Sequence, residues 1–325
     1  MSNVETSTNP PRVSIGMPLY NSAKYLDEAL DCLLSQTYRD FELVISDNAS
    51  TDGTREMCLA RANSDPRIRY HRQGENQGAV WNFNEVFKLS RGEYFKWAAY
   101  DDICKPTFLA RCVEILDSKP QVAWCHTQSG KIDSDGEVVT RDPEAAEGEV
   151  GLVHTRRAGL PRTDHASPHP YRRFEGVLLG TNWCADSYGL IRADVMRRTN
   201  LLPNCYGAEK VLMAALSLHG IYHEIPETLF YQRVHSEASG NLKSAAAKHR
   251  FAISGNSSRF AFTRLRLLQG YLRAVRSAPL SFGERFRCRV AIVKYLFQFK
   301  KWRNVFGGAF SGVGSERRES VSAGA

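Results

Sequence analysis

The chain has 325 residues, 42% hydrophobic and 24% charged, with a formal net charge of +8. That is the composition of an ordinary globular protein whose core is large enough to need no staples. Eight cysteines stand singly with no CxxC pair, which argues against a zinc knuckle or a disulfide framework and fits a reducing, cytoplasmic compartment.

The opening "MSNVETSTNPPR" is polar and proline-bearing, so residues 1–11 read as a disordered lead-in without a secretory signal. "VSIGMPLY" (Val13 to Tyr20) is a strand, and "AKYLDEALDCLLSQ" a helix with Tyr25, Leu26, Ala29, Leu30, Leu33 and Leu34 at helical spacing. "FELVISD" is a second strand, "STDGTREMCLARA" a capped helix start and "RIRYHR" a third strand. "GAVWNFNEVFKLS" is helical, and "EYFKWAAY" is a fourth strand running into Asp101 and Asp102. "PTFLARCVEILDS" is a helix with proline in its first turn, and "QVAWCHT" a fifth strand. Such alternation with short links implies an α/β fold with a mostly parallel sheet covered by helices.

"DSDGEVV" reads as a hairpin turn, and residues 140–174 as loop. "AEKVLMAALSLHG" is a helix stopping at Gly220, followed by strand-like "IYHEIP" and "TLFYQRVH". From about Ala245 the chain reads as helical to Arg303, and residues 306–325 as a Gly/Ser-rich flexible tail. No run approaches the roughly 18 apolar residues of a membrane-spanning helix.

In parallel sheets ligands gather at the carboxyl ends of strands. Asp47 and the pair Asp101–Asp102 fall there. Asp47, in "VISDNASTDGT", suits either a hydrogen bond to a base or ribose or plain turn chemistry, and Asp52 suits a cap. Two adjacent carboxylates are either solvated or hold a divalent cation against phosphate oxygens. Neither a GxGxxG after the first strand nor a GxxxxGK[ST] is present, so phosphates would depend on such a cation.

"VSIGMPLYN", "LVISDNASTDGT", "ENQGAVWNFN" and "FKWAAYDDICKPTFLARCV", in that order, resemble the family 2 glycosyltransferases. The resemblance is strong from about Arg12 to Thr127 and looser from Thr181 to Gly240. It implies a single GT-A-type domain over 12–240, with a nucleotide-sugar-binding half (12–130) and an acceptor half (131–240), then a basic helical extension over 241–305. By position, Pro18 and Asn21 lie in the loop that wraps the nucleotide, Asp47 meets the base, and Asn76 and Gly78 lie near base and ribose. Asp101 and Asp102 match the acids that hold Mg²⁺ or Mn²⁺ on the diphosphate, with Ala99 where many members carry a first acid. His235 either completes that metal shell or is an exposed loop histidine, and Arg233 either faces the diphosphate or is a strand-edge charge. Glu209 either stands where the family places its catalytic base, commonly Asp, or is an ordinary first-turn helix acid, and Asp186 is the fallback base.

The implied activity is inverting transfer from a nucleoside-diphosphate sugar, a UDP-sugar favoured, to a saccharide or lipid-linked acceptor in cell-surface polysaccharide or glycolipid synthesis. A nucleotidyltransferase would show a Gly-rich, Arg/Lys-containing loop where "GMPLYNSAKY" stands. A non-catalytic sugar-nucleotide or carbohydrate-binding module would tolerate loss of the acids. Arg156, Arg157, Arg162, Arg172 and Arg173 form either an acceptor loop for an anionic group or a solvated loop.

Basicity is local. From Lys248 to Arg303 fourteen Lys/Arg face one acid, Glu284, a net of +13 that leaves −5 for the rest. Together with the lack of any RNA or DNA motif, that excludes nucleic acid as the partner. Phe286, Val290, Val293 and Phe297 recur at helical spacing among these charges, which fits peripheral contact with an anionic membrane at its inner face or packing on the domain.

Overall fold

Every residue of β1 (Val13–Leu19) except Pro18 is buried, because helices cover the sheet on both faces. The computed structural model describes residues 10–139, 165–180, 185–242, 244–253 and 263–298. After β1 come α1 (Ala23–Leu34), β2 (Phe41–Asp47), α2 (Thr54–Ser64), β3 (Ile68–Arg72), α3 (Ala79–Leu89) and β4 (Tyr94–Trp97). Then follow β5 (Ile103–Cys104), α4 (Phe108–Ser118), β6 (Val122–Ile132), α5 (Pro170–Gly180), β7 (Leu190–Arg192), α6 (Ala193–Arg197), α7 (Glu209–His219) and β8 (Ile221–Arg233). Helices α8 (Ala245–Ala252), α9 (Thr263–Ser277) and α10 (Phe282–Leu296) close the described chain.

The strands form one sheet in the order β3-β2-β1-β4-β7-β6-β8-β5. Pairs β1–β2, β1–β4, β2–β3 and β6–β8 are parallel; β4–β7, β6–β7 and β5–β8 are antiparallel. The expected α/β architecture with a mostly parallel, helix-covered sheet and C-terminal helices is therefore present. On one face Val13, Ile15 and Met17 meet Leu26, Leu30, Cys58 and Phe108 of α1, α2 and α4. On the other, Phe95, Trp97 and Trp124 meet α5, α7, α9 and α10 through Phe174, Leu212, Tyr271 and Ile292. The C-terminal helices thus share the second core, and the sheet runs through residue 130 inside β6.

Several elements differ from the sequence reading. β4 ends at Trp97, and the acids follow it by four and five residues, held instead by the two-residue β5. The two strand-like runs after α7 are one 13-residue strand, β8. Its register against β6 jumps from Thr127↔Ile225 to Gln128↔Thr228, so Pro226, which lacks a ladder donor, is accommodated in a bulge. Pro106 precedes the cap residue Thr107 of α4 and lies outside its first turn.

β7 and the 3₁₀ turn Ala185–Tyr188 before it were not anticipated. Between them lies Gly189, where a Cβ would stand 2.3 Å from the Cys125 carbonyl oxygen, so only glycine lets β7 slide in between β4 and β6. α5 replaces the end of the expected loop. The lead-in, the tail and Arg156, Arg157 and Arg162 lie outside the described residues. Arg172 is exposed, but Arg173 is buried and donates to the carbonyls of Ser167 (2.7 Å) and Ser217 (2.8 Å), so it faces no acceptor. The cysteines among the described residues are all free, and none of the described helices is long and apolar enough to cross a membrane.

Candidate active site

Register places the first half of the site. Pro18 pairs with Ser46, and Asp47, the last residue of β2, pairs with Arg72 of β3. In β1 the even-numbered residues turn their backbone toward β4, whose pairing ends at Gly16↔Trp97. Pro18, with no N–H, therefore sits where β4 has already left.

Asp47 is fully buried. Its Oδ1 accepts the Ser50 amide at 2.8 Å, and its Oδ2 accepts Tyr70 Oη at 2.7 Å and Arg72 Nη1 at 2.6 Å. Burial pushes this carboxyl up, but the hydrogen bonds from Ser50 and Tyr70 and the charge of Arg72 outweigh it and hold it below the usual range. The turn to Ser50 is the chemistry foreseen for the motif. Tyr70 and Arg72 were missed, and their only signal was the neighbouring strand "RIRYHR".

Three loops are tied together around this carboxylate. Asn21, at φ +50°, accepts the Thr51 amide at 2.9 Å and gives its own amide to Ser50 Oγ at 2.9 Å. Asp52 accepts the amides of Thr54 (3.0 Å) and Ala23 (3.1 Å), so it caps the starts of both α2 and α1. Asn48, also missed, accepts the Gln77 amide at 2.9 Å and donates to Asn76 Oδ1 at 2.9 Å. Asn76 Oδ1 in turn accepts the Gly78 amide at 2.8 Å, and Gly78 opens α3 at φ +88°, a conformation that favours glycine. Pro18, Asn21, Asp47, Asn76 and Gly78 thus line one edge.

The acids are placed by pairing across the chain. Ile103↔Tyr231 and Cys104↔Phe230 run antiparallel, which carries Asp101 and Asp102 up to Arg233 at the end of β8. Asp101 Oδ2 lies 2.9 Å from His235 Nε2. The Asp101 carbonyl accepts Arg233 Nε at 3.0 Å, and Asp102 Oδ1 accepts the Arg233 amide at 3.1 Å. Arg233, 3% exposed, also donates to Glu28 Oε2 at 2.6 Å and lies 4.5 Å over the Tyr25 ring. Its guanidinium is thus a clamp within the chain. Burial and the neighbouring Asp101 charge push the Asp102 carboxyl well up, and the Arg233 amide and the buried Lys96 ammonium offset only part of this.

The three expected cation ligands are not gathered into one set. Among the described residues no group of three or more His, Cys, Asp or Glu is arranged to hold a metal. Asp101 and His235 meet, while Asp102 turns an oxygen to the Arg233 amide. His235 Nδ1 is buried without a partner. Because Mg²⁺ usually takes one or two protein carboxylates and completes its shell with phosphate oxygens and water, Asp101 with His235 fits a cation shared with a diphosphate, and does not fit a closed protein cage.

The two base candidates sit on separate elements. Asp186, in the 3₁₀ turn, accepts Tyr222 Oη at 2.8 Å. Glu209 is the half-buried first residue of α7, where the helix dipole favours a carboxylate. The loop before it is joined to the His235 loop: Tyr206 Oη donates to the Ser239 carbonyl at 3.0 Å, and Asn241 Nδ2 to the His235 carbonyl at 2.7 Å.

Residues 14–169 match the family model described as glycosyl transferase family 2. The chain is 34% identical over 125 residues to an uncharacterized glycosyltransferase of Rickettsia typhi, covering 38% of each chain. It is 33% identical over 107 residues to glycosyltransferase GlyG of Streptococcus pneumoniae, 33% of this chain and 36% of GlyG. It is 31% identical over 130 residues to chondroitin synthase of Escherichia coli, 40% of this chain and 19% of the synthase. The matched segment thus spans less than two fifths of these relatives' lengths. Among solved structures, S. aureus TarS 1-349 in complex with UDP shares the fold at a TM-score of 0.56 and 16% identity, over 88% of this chain and 70% of that one. TarS 1-349 in complex with UDP-GlcNAc gives 0.52 at 14% identity, over 87% of this chain and 89% of that one.

Proposed function

From the match of residues 14–169 to the glycosyl transferase family 2 model, we propose that this chain is an inverting glycosyltransferase that moves a sugar from a nucleoside-diphosphate donor to an acceptor hydroxyl. The observation that carries the reading is the Asp101–His235 contact, held by the β5–β8 pairing at the end of the same sheet that carries the Asp47-to-Gly78 edge. In this reading the nucleotide lies along Pro18, Asn21, Asp47, Asn76 and Gly78. A uridine donor is favoured because UDP and UDP-GlcNAc accompany the TarS structures. A saccharide or lipid-linked acceptor, in polysaccharide or glycolipid synthesis, is in keeping with the similarity to a chondroitin synthase.

Glu209 takes the proton from the acceptor hydroxyl as its oxygen bonds to the anomeric carbon and the bond to the diphosphate breaks. A positioned base contributes roughly 10²–10⁴-fold. Asp186 is the fallback base. It accepts a hydrogen bond from Tyr222 Oη at 2.8 Å. Asp101 and His235 are the residues that would hold Mg²⁺ or Mn²⁺, which when bound offsets the charge growing on the leaving diphosphate. We assign residues 12–130 to the donor and 131–240 to the acceptor.

The test is a thermal-shift screen of UDP-, GDP- and dTDP-sugars with and without Mn²⁺, followed by mass analysis for sugar release or transfer. A cation-dependent rise in Tm with one donor, lost in Asp101→Ala, is expected. No shift and no release with any donor overturns the reading.

A further inference from the structure

Helix α10 carries two apolar faces. Cys288, Ala291, Ile292 and Tyr295 are buried among α5 and α9. Phe282, Phe286, Val290 and Val293 follow one another at steps of four, four and three residues, which at 100° per residue puts them on the opposite side. They stand in solvent: Phe282 is 88% exposed, Phe286 60% and Val293 50%. Single exposed apolar residues need no explanation, but a stripe of four, held outward by a second stripe packed inward, is a surface that something covers.

The charges say what covers it. On the helical wheel Arg285 and Arg289 border the stripe on one side, and Arg287 and Lys294 on the other. The helix's one acid, Glu284, falls on the inner side and is spent in the capping box with Ser281. Lys294 pairs with Glu175 at 2.6 Å, Arg287 lies 4.6 Å over the Tyr171 ring, and Arg285 donates to the Ala278 carbonyl at 3.2 Å, so these three also fix the helix to its neighbours. Arg289 is exposed and has no partner among the described residues. Helices α8, α9 and α10 together carry ten Lys/Arg against that single acid.

We propose that the outward face of α10 docks on an anionic lipid bilayer. The helix lies in the interface plane, with Phe282, Phe286, Val290 and Val293 among the acyl chains and the flanking cations at the level of the phosphates. An apolar stripe bordered by cations on both edges is the pattern of an in-plane helix. At 15 residues α10 is about 22 Å long, and with basic residues along it the helix cannot span a bilayer. An acidic protein partner would match the charges, but one isolated helix stripe falls short of the roughly 800 Å² per partner of a stable protein interface. The surface is independent of the sugar-transfer chemistry.

The experiment is co-sedimentation of the full chain with vesicles of phosphatidylcholine alone or mixed with phosphatidylglycerol, at low and high salt. The expected result is binding to the anionic vesicles at low salt, at least about tenfold above the neutral ones, with each cation near the surface worth roughly fivefold. Phe286→Asp with Val293→Asp abolishes it at unchanged Tm, and Arg289→Glu weakens only the salt-sensitive part. No sedimentation with anionic vesicles at low salt overturns the proposal, as does binding unaffected by the double aspartate variant. A concentration-dependent dimer in sedimentation velocity that the same variant abolishes overturns it too, and assigns the face to a second copy of the chain. Because the readout is lipid binding, failure here is distinguishable from failure to find a sugar donor.

Discussion

His235 Nε2 stands 2.9 Å from Asp101 Oδ2, although 134 residues separate them, because Arg233 fastens both acids to the end of β8. The first prediction follows from that contact. Asp101→Ala is expected to lower kcat/KM about 100-fold or more and to remove any Mn²⁺-dependent thermal shift with donor, whereas His235→Ala costs about tenfold. Wild-type turnover in both variants would show that the pair holds no catalytic cation.

Glu209 and Asp186 are told apart by opposite signatures. Glu209→Gln should leave donor KM unchanged and lower kcat by about 10²–10⁴-fold. Asp186→Asn should mainly cost stability, about 1 kcal/mol, through the hydrogen bond from Tyr222 Oη. Steady-state kinetics beside urea unfolding reads both. If Glu209→Gln turns over like wild type while Asp186→Asn is dead but stable, the roles are exchanged.

Asp47 makes stability depend on acid. Its carboxyl is held below the ordinary carboxylate range, so the folded state binds fewer protons than the unfolded one across the interval between the two pKa values. The contribution is complete above the unfolded value of about 4 and is lost as pH falls through the folded value. Asp47→Asn should therefore destabilise the protein by about 2 kcal/mol at pH 7, with Arg72 left half-paired, and the gap to wild type should close below about pH 4. A gap constant from pH 7 to pH 3 would sink this account.

Gly189 should tolerate no side chain. Gly189→Ala places a Cβ against the Cys125 carbonyl in the β6–β7 contact, and a loss of about 1–3 kcal/mol is expected in denaturant unfolding. An alanine variant as stable as wild type would mean that β7 can shift without cost.

The first third of the fold was legible because its signals are local. Apolar spacing in "AKYLDEALDCLL" and the buried run "FELVISD" each declare their element within a dozen residues. β5 carries no such signal, since two residues become a strand only by meeting Phe230 and Tyr231 more than 120 positions later. The same distance hid the clamp role of Arg233 and the orientation of Asp102. Pro226 misled for a related reason: proline marks a strand end in isolation, but a bulge against β6 lets the strand continue. At Asp47 the turn partner Ser50, three residues away, was foreseeable, while Tyr70 and Arg72 depended on which strand lies beside β2.

β8 runs unbroken from the end of α7 to the clamp, so its residue count is the ruler of the site. Removing one residue between Phe230 and Arg233 would turn Arg233 to the other face of the sheet and release both acids. Removing two would restore the face but pull the clamp back by about 6.6 Å, beyond reach of Asp101. The bulge at Pro226 and the second register shift, between Thr228 and Phe230, are the places along this strand where length can change without altering parity beyond them. Natural insertions and deletions in related chains should gather there and in the loops, and should be missing between Phe230 and His235.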